Sequence, residues 1–267
     1  MKPIRSYITQ TALYISIIML ILITTVIIFL HWKLTGISMP DELNGLTLNY
    51  SPYNVLYLIL IKNLFVVSAG LILRNLFKNT ASPEMFFFSI AILVLSFTSL
   101  RSLFLVDGFL GYPVYLSEII SRTVYFGEIV IILCLFTSGL FTTGISFQKQ
   151  QSFFLLITLI SFILSSSIPI DLLETNIILL KGTGSEYGMN IIFIILQLFA
   201  VLNFLVGAIK NNSRDYLFLA LAVGMISIGN EILFSLIPGI LSYMAVLSLI
   251  SGTALFGYKI YKIYQWI

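Results

Sequence analysis

Residues 53–74 read YNVLYLILIKNLFVVSAGLILR, an apolar run whose one interior charge is Lys62. About 20 consecutive apolar residues wound as α-helix cross a hydrocarbon core of roughly 30 Å. Inside that core water cannot satisfy the peptide groups, so a single run of this kind must pair its own N–H and C=O groups as a helix. Seven further runs of similar character lie near 8–31, 85–106, 118–142, 152–170, 189–209, 216–236 and 239–258. The expectation is an all-α fold, a polytopic bundle of eight transmembrane helices.

Composition agrees. Of 267 residues, 59% are hydrophobic and 9% are charged, with mean hydropathy +1.05. A soluble domain carries about 25% charged residues. The 14 basic and 11 acidic residues cannot cover a water-facing surface of this size, so lipid is the solvent expected. The first run is too long for the roughly 7–15-residue core of a signal peptide, and no small-x-small cleavage site follows it.

Between the runs stand the residues expected at helix ends. Pro52, Pro83, Pro113 and Pro238 fall at or near starts of runs, where a missing N–H matters least. Pro169 closes the fifth. The short turn Leu236-Ile237-Pro238-Gly239 forces runs seven and eight into an antiparallel hairpin. With the N-terminus inside, the cytoplasmic segments hold Lys2, Arg5, Arg74, Lys78, Lys149, Lys210, Arg214, Lys259 and Lys262. The outer loops hold Lys33 and Lys181, with Asp41, Glu42, Asp107, Asp171, Glu174 and Glu186. That is the positive-inside pattern. An even count of spans, with both termini cytoplasmic, keeps Lys259 and Lys262 on the correct side.

Trp32 at the outer end of the first run, and Tyr258, Tyr261, Tyr264 and Trp266 at the inner end of the last, suit the headgroup level. The tail YKIYKIYQWI (258–267) is expected to lie as a helix along the inner surface, with no soluble effector domain. In the loop 171–188, Asp171 is expected to cap a short helix carrying Leu172, Leu173, Ile177, Leu179 and Leu180. The chain reads as one integral membrane domain, 1–267: an anchor span 8–31, then a seven-helix bundle 53–258. The first four runs share no polar positions with the last four, so a transporter-type duplication is not indicated.

Charges inside lipid are expensive, and they face a bundle interior or a water-filled cavity. Here they are Lys62 in run two, Arg101 in run three, Glu118, Arg122 and Glu128 in run four, and Glu231 beside Asn230 in run seven. Counted by depth, Lys62 is nearest the middle and the others fall in the outer half. Lys62, Arg101, Arg122, Glu128, Asn230 and Glu231 are therefore the candidate ligand-binding cluster. Two uses compete: structural pairing, with Glu118–Arg122 as an i,i+4 pair and Glu128 or Glu231 joined to Lys62 or Arg122; or a cavity open to the outside that holds a small polar ligand or ion.

Weaker signals read as packing. Ala220 and Gly224, and Ser248 and Gly252, are small-xxx-small pairs suited to runs seven and eight, with an oligomer face as the alternative. Gln197 and Asn203 are placed to hydrogen-bond across helices. His31 is an interface residue, and Asn49-Tyr50-Ser51 is a glycosylation acceptor pattern only in a secretory pathway. The one cysteine, Cys134, lies among Ile131, Ile132, Leu133 and Leu135, where a thiol is inert.

Several chemistries are absent. One histidine removes bis-histidine haem and His-based zinc sites. No Gly-x-Ser-x-Gly elbow and no aspartate pair on neighbouring runs occurs. Lys181-Gly182-Thr183-Gly184-Ser185 lacks the spacing of a phosphate loop. No catalytic residue, metal or cofactor is expected, and scattered basic residues exclude a nucleic-acid partner. The expected partners are the lipid bilayer, another membrane protein, or a small polar ligand from the outer side. The sequence thus points to a non-enzymatic sensory or assembly component of a bacterial cytoplasmic membrane. An anchor followed by seven helices is compatible in layout with the seven-helix input modules of bacterial receptors. The alternatives are a transporter or permease subunit and, behind it, a lipid-modifying enzyme. Against transport stand the dry inner halves Phe65-Val66-Val67, Leu133-Cys134-Leu135-Phe136 and Leu217-Phe218-Leu219.

Overall fold

The computed structural model describes residues 2–34, 52–79, 82–104, 106, 113–144, 150–175, 181–183, 186–235 and 239–265. The expectations on Asp41, Glu42, Asn49-Tyr50-Ser51, Asp107, Lys149, Pro238 and Trp266 lie outside the described residues. Among the described residues, eight helices are long and apolar enough to cross a membrane, one for each run. They are α1 (Lys2–Leu34), α2 (Pro52–Asn79), α3 (Pro83–Val94, continued by a 3-10 segment, Leu95–Leu103), α4 (Val114–Thr142), α5 (Gln150–Ser167), α6 (Glu186–Lys210), α7 (Arg214–Phe234) and α8 (Ile240–Gln265). Pro52 and Pro83 are first residues of their helices and Pro113 immediately precedes α4, as the missing N–H requires. Ser82 caps α3, its Oγ accepting the Met85 N–H at 3.1 Å. Between α6 and α7 the chain reverses in three residues. Asn212 takes a left-handed φ of 46°, while Ser213 and Asn212 donate to the Ala208 and Ile209 carbonyls, the double bond of a Schellman turn.

Two expectations are corrected. The bundle is all-helical as expected, but where a short helix headed by Asp171 was expected, Ile170–Thr175 (β1) and Lys181–Thr183 (β2) form a small antiparallel hairpin with a register shift between Asp171 and Thr175. A short apolar run fits strand or helix equally by periodicity, and an isolated two-turn helix is marginal; pairing with its own sequence neighbour satisfies the backbone instead. The tail is not a separate surface helix either. α8 continues unbroken to Gln265, and Ile260 is buried in the main core.

α3 and α4 form the centre, their span windows 78% buried, whereas α5 is 22% buried and presents most of its surface outward. α1 packs on α2, α3 and the 3-10 segment; α4 also packs on α5 and α6; α6 packs on α7; α7 packs on α8; and α2 packs on α8. Each helix reverses its predecessor. Leu13 meets Gly70 while Leu30 clusters with Val55, and Gly229 meets Ala245 while Gly252 meets Ala222. α2 and α8 are therefore parallel and end at the same end of the bundle as the chain begins.

The α7–α8 seam uses small residues, as expected, though not all those expected. Ser248 Oγ donates to the Met225 carbonyl at 2.8 Å. A Cβ on Gly252 or Gly229 would stand 2.8 Å or 2.7 Å from a facing backbone oxygen, so both positions demand glycine. Gly224 faces Val201 of α6 instead.

Candidate functional site

At the centre, α2, α4 and α7 bring three polar side chains together. Lys62 Nζ donates to Asn230 Oδ1 at 3.0 Å, and Asn230 Nδ2 donates to Glu128 Oε1 at 2.5 Å. Lys62 is 4% exposed, Asn230 2% and Glu128 0%. The cation and the carboxylate are not in direct contact; an amide, donor on one side and acceptor on the other, joins them. All three are buried at mid-helix, where their polar atoms have no solvent to turn to. Beneath the chain of bonds, toward the terminal end, Val66, Cys134, Leu135 and Leu219 belong to one packed apolar core.

Arg101 and Glu231 flank this centre without joining its hydrogen bonds. Arg101, the largest fully buried side chain among the described residues, donates from Nε to the Thr98 carbonyl at 3.2 Å and from Nη1 to the Phe234 carbonyl at 2.7 Å. Its guanidinium lies 4.6 Å from the centre of the Phe234 ring. Phe234 ends α7, so Arg101 satisfies a carbonyl that the helix leaves unpaired. Glu231 accepts from Gln197 Nε2 of α6 at 3.0 Å. Both lie within electrostatic reach of Glu128.

Arg122 stands apart. It pairs with Glu118 at 2.8 Å, and its Nη1 donates to the carbonyls of Ser165, Ser166 and Ile168 at 3.0, 2.5 and 3.3 Å. Its partners are the end of α5, not the central network. The six sequence candidates thus divide into a bonded core (Lys62, Asn230, Glu128), two flanking groups (Arg101, Glu231) and one helix cap (Arg122). Gln197 and Asn203 do bond across helices, Asn203 Nδ2 reaching the Phe136 carbonyl at 3.3 Å.

Sequence reading missed a second polar set at the terminal end. Glu84, 3% exposed, accepts from the Tyr264 hydroxyl at 2.7 Å, and Lys259 pairs with Asp215 at 2.6 Å. An acidic residue in the first turn of a helix reads as a dipole complement, which hid the burial of Glu84. A tyrosine at a span end reads as a belt residue. Among the described residues, Glu128 Oε2 and both amide atoms of Asn63, on α2 beside Lys62, are buried without a hydrogen-bond partner.

The chain matches no family model, no curated protein and no solved structure.

Proposed function

We propose that this chain is a non-enzymatic, multi-span membrane component that works by assembly: a helical scaffold in a bacterial cytoplasmic membrane with both termini on the cytoplasmic side. The observation that carries this reading is the hydrogen-bonded polar chain that joins α2, α7 and α4 at the centre. Lys62, Asn230 and Glu128 bond to one another across three helices, and Arg101 and Arg122, which sequence placed in a ligand cluster, donate to carbonyls at helix ends. A buried interhelical network of this kind fixes which helices meet and in which register. It leaves the outward faces of α5 and α6 as the surfaces through which the bundle acts. Exposed Phe162 and Leu198 stand on those faces. The packed apolar layer below the network disfavours a translocation path for a polar solute.

A photo-crosslinking residue at Phe162 or Leu198 should give discrete adducts with another membrane protein in intact cells. Adducts with lipid alone from both positions would sink the assembly reading.

A second reading, sensory binding of a small polar ligand or ion, is favoured by one observation. Glu128 Oε2 and the Asn63 amide are desolvated without protein partners, and unpaired buried polar groups cost about 1–3 kcal/mol each, which a bound solute would offset. A solute that stabilises the wild-type protein, but not Glu128→Gln, in a thermal screen would replace the first reading with this one.

A further inference from the structure

Charges carried by membrane helices face a bundle interior or a water-filled cavity. Glu231 stands at the edge of the bundle instead. It is half-buried and lies beside the outward stripe of α7 formed by Leu217, Leu221 and Ile228, on the side toward α6. Its Oε2 accepts from Gln197 Nε2 at 3.0 Å, while Oε1 meets no donor or cation among the described residues. Lys62 lies within electrostatic reach but bonds to Asn230. The carboxylate is also below the rim of the bundle, because from Gln197 α6 extends about 16 Å further to its start at Glu186. Two turns back on the same edge of α7, a Cβ on Gly224 would meet Val201 Cγ2 at 3.9 Å and nothing nearer. The crease between α6 and α7 therefore holds a notch at Gly224 and, about 10.5 Å along the helix, a carboxylate oxygen without a partner.

We propose that this crease receives a membrane helix of a different protein, with an arginine or lysine at the depth of Glu231 and an apolar side chain in the Gly224 notch. Seven residues separate the two positions on α7, so the same spacing on the incoming helix brings both contacts to one face. Charge complementarity selects this occupant. A wholly apolar helix, or an acyl chain, would leave Oε1 unmet. A second copy offers no cation at that depth: among the described residues, Lys62, Arg101 and Arg122 are bonded within their own bundle. The inference names the partner's chemistry for the assembly reading and rests on it.

The test uses full-length protein in phosphatidylcholine nanodiscs and synthetic leucine–alanine membrane helices that carry arginine, leucine or glutamate at one position in the same half. Association is read by energy transfer between labels. Wild type should prefer the arginine helix to the leucine helix by about tenfold, the order that one interhelical polar contact in lipid supplies. Glu231→Gln should lose that preference with its Tm unchanged, and Glu231→Lys should turn it toward the glutamate helix. Gly224→Leu, which fills the notch, should weaken binding of the arginine and leucine helices alike. Equal association by wild type, or a preference that survives Glu231→Gln, would overturn the proposal. So would a preference that vanishes when phosphatidylethanolamine is added, which would assign the carboxylate to a lipid ammonium. Self-association that Glu231→Gln abolishes would hand the crease to a second copy and overturn it too. None of these outcomes touches protein adducts from Phe162 on α5, whereas lipid-only adducts from Phe162 and Leu198 would remove the assembly reading itself.

Discussion

An asparagine amide carries donor and acceptor on one planar group, and Asn230 uses one of each, toward Lys62 and Glu128. Replacing it by leucine leaves two buried ionisable groups with nothing between them. Breaking such a set by removing one member costs about 3–5 kcal/mol, whereas replacing the charged pair by apolar residues of similar size is often neutral. Asn230→Leu should therefore destabilise the protein by about that amount in reversible unfolding from mixed micelles. Lys62→Met/Glu128→Leu should cost less than either single change. Additive effects of those two changes would show that the groups are not coupled. All three residues were legible in the sequence as polar interruptions of apolar runs. Their bonding was not. Sequence gives depth along a helix at about 1.5 Å per residue, but it gives no relative rotation for helices joined only across 168 or 102 positions.

Helix ends explain Arg101 and Arg122. A helix leaves its last four carbonyls without an internal partner, and where those ends are enclosed by protein or lipid another side chain must supply the donor. Arg101 does so for α7, Arg122 for α5, and Lys210 with Asn211 for α4 through the Thr143 and Thr142 carbonyls. Backbone carbonyls carry no residue identity, so no reading of side chains alone finds these partners. Arg122→Ala should cost about 1–3 kcal/mol, the price of carbonyls left unmet, and should speed amide exchange in the last turn of α5. Arg122→Lys should recover only part, because an ammonium lacks the planar fork. Glu118→Gln should change stability by less than about 1 kcal/mol, since that ion pair is roughly one-third exposed. Unchanged exchange at α5 in Arg122→Ala would show that the cap is idle.

For the whole molecule, hydropathy made the eight long apolar helices legible because length and apolarity are summed locally; the hairpin at Ile170–Thr175 escaped because its partner strand, not its own pattern, decides it. The proposed orientation predicts fluorescence from green fluorescent protein fused after Ile267, and activity from alkaline phosphatase joined after Thr175; the reverse pattern would invert the topology. The 3-10 segment was also invisible, although its side chains reinforce it. Ser96, Thr98 and Ser102 hydroxyls and the Arg101 Nε each return to the carbonyl three residues back, the spacing of that helix. Its larger rise and tighter winding have a mechanical side. Rewound as α-helix, the nine residues would be roughly 4.5 Å shorter, with their far end turned by about half a revolution. Arg101 bolts that stretch to the end of α7, so the third span can relax neither its length nor its torsion without first releasing the bolt.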